Sequence, residues 1–593
     1  MSADPYQPTA EQIAIIHHPG HAFIRACPGA GKTRTMVERA RHLLLETKDR
    51  RGVAFLSFTN AAVDELEARL RSFGVLPTPL FPSFIGTFDR FLWQFLIAPF
   101  GVDGCAHMPR LVPDKSEWEV KPFQKARPLK LKHFDRATGA IIPEKAAEVA
   151  FAPKSGPSPW ESAARTILAR AFSDGRLDFE DVRECVRKRL VDRAFSARIG
   201  AALAGRFREI VVDEAQDCNP ADLEIIGWLR AAGIKVKVVC DPNQAIYAFR
   251  GGLTDELSKF AVSFDREEQL PMSGNFRSTP AICAAISQLR PPATRGLADV
   301  AVGRYRNQTT AVHLLSYGGR SVPPKIGAVF QALAAGLGIP PAQAPVLAAT
   351  WASAGNAVGR AILDVGDDRT LILAEAVMAF HFAFQAGNRR ETLARLHRAV
   401  LLVRGALANL GAYSDHIAAT GHDDGGWRPE IIAIGQALQL RAGETPDQWL
   451  QRARVALNSN LVGDSSINQR LRANAKLGEV LAEASPTALP ARAIHSVKGL
   501  EFPAVCVVLT ARTAGDVLDV LTGVSVKAKP VEEARKIYVG ASRAERLLAI
   551  ATPRSRVTSL KAILEGGGGP AVVEVDVGRL AVECSKSAER PLV

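Results

Sequence analysis

The sequence has no Cys-x-x-Cys pair, no Cys/His cluster, no long apolar run and no repeat of short fixed period. Its eight cysteines (27, 105, 185, 218, 240, 283, 506 and 584) are scattered, so they supply no ligand set for structural zinc or an iron–sulfur cluster and fit a reducing cytosol. Residues 1–12 carry no apolar core of the signal-peptide kind, and no window approaches 18 uninterrupted apolar residues. Neither export nor a membrane span is expected, and the expected location is cytoplasmic. The missing repeat excludes a solenoid. At 593 residues, 47% hydrophobic and 23% charged, the chain is globular and too long for one core, with about three to five domains expected. Lys and Arg number 74 against 61 Asp and Glu, a net charge of +13. That excess favours a polyanionic partner, although a generally basic surface would give the same number.

The most informative stretch is Ala26-Cys27-Pro28-Gly29-Ala30-Gly31-Lys32-Thr33. It lies between the apolar run Ala22-Phe23-Ile24, suited to a buried parallel strand, and a helical pattern from Thr33 to Leu45. Gly29 and Gly31 let backbone amides face phosphates, Lys32 reaches the β- and γ-phosphates, and the Thr33 hydroxyl can ligate Mg2+. Gly29, Ala30, Gly31, Lys32, Thr33 and Arg34 are therefore the candidate phosphate-binding residues. Ahead of them Thr9 can cap a helix in which Gln12 sits one turn in, and an amide can both donate to and accept from the edge of adenine. By residue type alone Gln12 is a surface glutamine.

Polar residues at the carboxyl ends of strands come next in order. Val53 to Phe58 ends at Thr59-Asn60, and Gly86-Thr87-Phe88-Asp89 opens an aromatic-rich helix. Open α/β sheets bind ligands there, and capping chemistry gives the same pattern. Ile210-Val211-Val212 runs into Asp213-Glu214. Such a pair suits a Mg-nucleotide site, Asp213 holding the metal through water and Glu214 deprotonating the attacking water. The αβ alternation lapses from about Gly101 to Phe195, a Pro-interrupted, Lys- and Arg-rich stretch, and again from Trp351 to Pro486, which has helical spacing. Gly566 to Gly569 reads as a flexible spacer before a last strand at Ala571 to Val575.

In this order, Asp213–Asp217, Asn275–Ser278, His495–Phe502 and Tyr538–Ala544 resemble the motifs of superfamily 1 helicases of the UvrD/Rep/PcrA kind, and the likeness spans essentially the whole chain. The resemblance implies an α/β fold of two RecA-like P-loop domains, each interrupted by a mainly helical insertion. The expected boundaries are 1–100 and 196–275 for the first domain, 101–195 for its basic insertion, 276–350 and 487–593 for the second, and 351–486 for its insertion. It also implies ATP and Mg2+ as cofactors, with Gln12 and Phe276 on adenine, Glu501 near the ribose, Gln244 sensing the γ-phosphate, and Arg277 and Arg543 reaching it from the second domain. Thr59, Asn60, Thr87 and His495 would touch the DNA backbone, and Phe249 would stack on a base beside Arg250. The implied partner is single-stranded or tailed duplex DNA, with a nuclease or a repair or defence subunit as a possible protein partner. The implied activity is ATP-driven 3′ to 5′ translocation or unwinding. The alternative is an ATPase subunit that gates a partner.

The chain departs from the family pattern at three places. Asp89 stands where His is common, and an Asp facing a phosphate would repel it. Ala511 to Lys529 replaces a Gly-Leu/Met-Phe-Pro loop. Thr552 to Leu564 is short and helical, and the duplex-splitting β-hairpin of the second domain has no counterpart in the sequence. The tail carries no Asp…Glu-x-Lys nuclease set.

Overall fold

The computed structural model describes residues 7–579 apart from 47–48, 59, 75, 77–79, 113–114, 153–157, 247–253, 293–294, 296–298, 361–365, 386–389, 409, 411–412, 421–425 and 482–488. Thr59, Phe249 and Arg250, together with the side chain of Asn60, lie outside the described residues.

Short runs such as Val53-Ala54-Phe55-Leu56 and Ile210-Val211-Val212 are buried along their whole length, as strands covered on both faces must be. They build a first sheet from β1 (Ala22–Ala26), β2 (Gly52–Ser57), β3 (Phe84–Thr87), β4 (Phe207–Val212), β5 (Lys235–Cys240) and β6 (Gln269–Met272). Its order is β6-β1-β5-β4-β2-β3 and every pairing is parallel. A second all-parallel sheet comprises β7 (Val312–Tyr317), β8 (Val346–Ala348), β9 (Ala491–Ala493), β10 (Phe502–Val508), β11 (Ala544–Pro553) and β12 (Val572–Asp576), in the order β9-β8-β10-β11-β7-β12. Each sheet separates two apolar cores, so the fold is two doubly covered α/β halves of the RecA-like kind.

The first lapse in alternation is less helical than its spacing suggests. A short antiparallel pair, Glu119–Val120 with Leu129–Lys130, and a parallel pair, Arg110–Leu111 with Arg176–Leu177, accompany the helices Pro159–Ser173 and Phe179–Val191. The second is helical from Arg369 to Leu481 around a core that includes the fully buried Trp449. The helix Trp351–Ala357 lies instead against the second sheet, where Ala354 and Ala357 are buried. The replaced loop Ala511 to Lys529 supplies the helix Thr513–Leu521, whose Ala514, Val517 and Leu521 enter the second core.

Gly566 to Gly569 is a folded turn and not an open spacer. Gly567 and Gly568 take left-handed backbone (φ 57° and 85°), and a Cβ at Gly569 would stand 1.7 Å from the Leu564 carbonyl oxygen. The glycines let the helix Val557–Glu565 turn back directly into β12.

Candidate nucleotide cleft

The crossing between the halves brings the cleft residues together. After β6 the chain runs through Asn275-Phe276-Arg277-Ser278 to the second sheet, where two bonds pin it and a third sets Glu501 beside Arg543. The Ser278 hydroxyl donates to the Ala544 carbonyl at 2.7 Å, the Thr279 amide to that of Glu545 at 3.0 Å, and the Phe502 amide to that of Arg543 at 3.0 Å. Arg277, Glu501 and Arg543, distant in sequence, therefore share one corner. The Arg277 guanidinium donates to the Ser542 carbonyl at 2.8 Å and pairs with the Glu501 carboxylate.

The same segment closes over the glycine loop. The Phe276 amide donates to the Gly29 carbonyl at 2.8 Å. Gly29 and Gly31 have φ of +70° and +72°, and a Cβ on Gly29 would lie 2.6 Å from Asn275 Oδ1. Only glycine meets both the turn and the approach there, and the turn aims loop amides toward where a triphosphate would lie. Gln12, Gly31 and Phe276 adjoin: a Cβ on Gly31 would lie 3.2 Å from Gln12 Nε2 and 3.7 Å from the Phe276 ring. Gln12 is fully buried, contrary to its residue type. Its Nε2 donates to the Ala30 carbonyl at 2.9 Å, and its Oε1 accepts from the Thr9 amide in a capping box. Arg34 pairs with Glu38 at 3.5 Å one turn on, and its guanidinium lies 5.1 Å over the Phe73 ring at the end of the helix Asn60–Ser72.

At the heart of the cleft the Lys32 ammonium meets the Glu214 carboxylate at 2.9 Å. Burial alone would lower the lysine, and the carboxylates of Glu214, Asp213 and Asp241 outweigh it, holding it above its ordinary value. Burial alone would raise Glu214, and Lys32 and Lys498 outweigh that, leaving the carboxyl well below the usual range. Glu214 also has a left-handed backbone (φ 56°, ψ 35°), held by its amide donating to Asp213 Oδ1 at 2.9 Å and its carbonyl accepting from the Asp217 amide at 2.9 Å. A non-glycine residue there costs roughly 1–3 kcal/mol and persists only where its surroundings fix it. Thr33 and Asp213 line one crevice, with Met36, Phe55 and Val211 behind them. Among the described residues no group of three or more His, Cys, Asp or Glu side chains is arranged to hold a metal. Thr33 and Asp213 fit Mg2+, a hard cation that completes its shell with water and phosphate oxygens.

Several further contacts cross the cleft. The buried Arg543 donates to Gln244 Oε1 at 2.8 Å, and Gln244 Nε2 donates to Asp241 Oδ2 at 2.8 Å. Burial, with Arg277 nearby, brings the Arg543 guanidinium down to about 10. The Tyr538 hydroxyl donates to the same Asp241 oxygen at 3.1 Å, and Arg290 backs it at 3.3 Å. Lys498 pairs with Asp217 at 2.6 Å and 2.8 Å, both side chains buried. Ile246 belongs to the second sheet's core although it follows β5. Sequence reasoning gives no role to Asp241, Asp217, Lys498 or Tyr538. Asp217, Lys498 and Tyr538 stand inside the motif stretches, and the missing signal is the partner each finds across the cleft.

The candidate DNA contacts are less convergent. The Thr87 hydroxyl accepts from the Arg90 amide at 3.1 Å and caps the helix Phe88–Leu92. His495 is half-buried, and burial lowers it below its ordinary value, followed by the Lys536 charge. Asp89 does not face a phosphate alone: Arg183 holds it at 2.5 Å while also binding the buried Asp222 at 2.6 Å. The expected repulsion is thus replaced by a tie between β3's following helix and the first insertion.

Residues 8–265 match the UvrD/REP helicase N-terminal domain. Over this stretch, which is less than half of its length, the chain is similar to the UvrD/Rep helicases. It is 25% identical over 594 aligned residues to the ATP-dependent DNA helicase UvrD2 of Mycobacterium tuberculosis, covering 92% of this chain and 78% of that one. It is 28% identical to DNA helicase II of Haemophilus influenzae over 46% of this chain and 38% of the relative. Its likeness to the Gabija protein GajB of Bacillus cereus is 24% over 44% of this chain and 45% of that protein. No helix among the described residues is long and apolar enough to cross a membrane.

Proposed function

We propose that this chain is a DNA-dependent ATPase of the UvrD/Rep kind that moves 3′ to 5′ along single-stranded DNA, in repair, recombination or defence. The observation that carries this reading is Arg543, which enters from the second half and bonds Gln244 of the first beside the Lys32–Glu214 pair. Gly29 to Thr33 and Asp213 would hold ATP with Mg2+, which would supply a charge-neutralised phosphoanhydride. Phosphate oxygens compete with Glu214 for the Lys32 ammonium, and the released carboxylate takes the proton of the attacking water. Arg277 and Arg543 neutralise charge that develops on the γ-phosphoryl group, from donors already fixed in place. Gln12, Phe276 and Glu501 hold the nucleoside end. Hydrolysis removes the anion that both arginines grip, so the halves loosen and close once per turnover, and alternating grip on DNA makes steps. Thr59, Asn60, Thr87, Phe249, Arg250 and His495 are the proposed DNA contacts.

The second reading, an ATPase subunit that gates a protein partner, draws on the antiparallel pairings. Among the described residues these lie only in the first insertion, between 119 and 141. β11 of the second half passes straight to a helix and a parallel strand. Both readings are tested by ATPase activity with and without single-stranded DNA, followed by streptavidin displacement from end-biotinylated oligonucleotides and strand separation on a tailed duplex. DNA-stimulated hydrolysis and faster streptavidin release than long-duplex unwinding are expected. No DNA stimulation would reject the motor, and robust unwinding by the isolated chain would reject the gating subunit.

The Tyr538–Asp241 bond has its own expected outcome. Tyr538→Phe removes one buried hydroxyl and keeps the ring, so the Tm should fall by only a few degrees, the cost of a lost buried hydrogen bond. Loss of one of the contacts that orient Asp241 should loosen Gln244 and Arg543, lowering kcat about three- to tenfold with KM for ATP little changed. Unchanged kcat would show that the bond does not support the cleft.

A further inference from the structure

Five aromatic side chains among the described residues are well exposed: Phe73, Phe81, Phe100, Phe123 and Trp351. Phe73 and Phe100 follow helices, Phe81 precedes the amino end of β3, and Phe123 lies in the first insertion. Trp351 alone follows the carboxyl end of a sheet strand, three residues after β8. That end of an open parallel sheet is where ligands are met.

The setting of Trp351 is built rather than incidental. β8 pairs with β9 in the register Leu347↔Arg492 and Ala348↔Ala493, so the segments after the two strands leave the sheet along one edge, and His495 comes two residues after β9. The Arg492 guanidinium lies 5.3 Å over the Trp351 ring and 4.0 Å over that of Phe382, from the second insertion. Arg492 is itself buried and donates to the Ala491 carbonyl at 2.8 Å, so the cation is fixed between the rings. Thr350 caps the turn, its hydroxyl accepting from the Ser353 amide at 3.3 Å. The indole is thereby braced by a buried cation while the residue stays 46% exposed. Proteins stack unpaired bases on aromatic rings, with cation–π support from arginine, and Trp351 with Arg492 presents that combination.

We infer that Trp351 is a stacking platform for one unpaired base of single-stranded DNA, on the second half of the motor. The inference rests on the proposed DNA-dependent activity and adds to it a contact with a base, where the second-half contact expected at His495 is with the backbone. It gives the second half a grip insensitive to sequence, because every base has a π-face.

The test is binding of a fluorescent oligothymidylate by anisotropy across a salt series, for wild type, Trp351→Ala, Trp351→Leu and Trp351→Phe, with ATPase measured in the absence of DNA. Alanine and leucine should each weaken binding roughly five- to a hundredfold, the loss of one base stack, and phenylalanine should keep most of it. The slope of log K against log salt should be unchanged, since no phosphate contact is removed. ATPase without DNA should also be unchanged. Leucine keeps an apolar contact with Arg492, so it separates stacking from packing. A leucine variant that binds like wild type, or a loss accompanied by a shallower salt slope, overturns the inference. Wild-type protein that binds no single-stranded DNA at any salt overturns the proposed function itself.

Discussion

Replacing Arg543 with alanine should cut DNA-stimulated ATP turnover roughly a thousandfold or more while leaving ATP affinity within a few-fold. The reason lies in how the guanidinium is held. It is buried, bonded to Gln244 from the other half at 2.8 Å and to the Val539 carbonyl at 3.0 Å. It therefore costs no reorganisation when charge develops on the transferring group, and a preorganised donor in a water-poor site stabilises the transition state far more than the ground state. Arg543→Lys should recover little, because a single ammonium cannot keep the Gln244 and Val539 contacts and still face the phosphoryl oxygens. Steady-state hydrolysis with saturating single-stranded DNA, alongside equilibrium binding of a fluorescent ATP analogue, checks both halves of this expectation. Turnover within tenfold of wild type would remove Arg543 from the proposed machinery.

Glu214→Gln should lower turnover about a hundred- to ten-thousandfold, the range for loss of a positioned general base. Nucleotide affinity should move the other way. The Glu214 carboxylate occupies the Lys32 ammonium at 2.9 Å, and a neutral amide competes with phosphate less well for that cation, so binding should tighten by a few-fold. Lys32→Ala supplies the contrast, with weaker binding expected because the cation itself is gone. A single-turnover experiment separates the steps. Wild-type turnover in the glutamine variant would reject the base assignment, and weaker nucleotide binding there would reject the competition between Glu214 and phosphate.

What the sequence determined by itself was local. A buried apolar run followed by Gly29-Ala30-Gly31-Lys32-Thr33 dictates a strand, a left-handed turn and a helix start from backbone sterics alone. Ile210-Val211-Val212 before Asp213-Glu214 dictates a strand that delivers carboxylates to its end. Parallel sheets covered on both faces leave unbroken apolar strands, so β1, β2 and β4 of the first sheet were legible as runs. Boundaries failed where a pattern had two readings. Small, alternately apolar residues at Trp351 to Ala357 suit an insertion helix as well as one lying on a sheet, and Gly566 to Gly569 suits a spacer as well as a tight turn.

Only the tertiary structure decided which partners those residues take. Glu501, Arg543 and Arg277 meet because Ser278, Thr279 and Phe502 are hydrogen-bonded to the Arg543–Glu545 strand start. Nothing in spacing predicts an adjacency across more than 200 residues, since it is set by strand order and not by neighbours along the chain. Asp89 makes the same point in reverse. Its charge was legible and its consequence was not, because Arg183, 94 residues on, neutralises it from the first insertion. Likewise the burial of Gln12, the pairing of Lys498 with Asp217 and the bracing of Trp351 by Arg492 are properties of packed pairs. The desolvation and charge terms that set the chemistry of such pairs exist only once the halves are assembled.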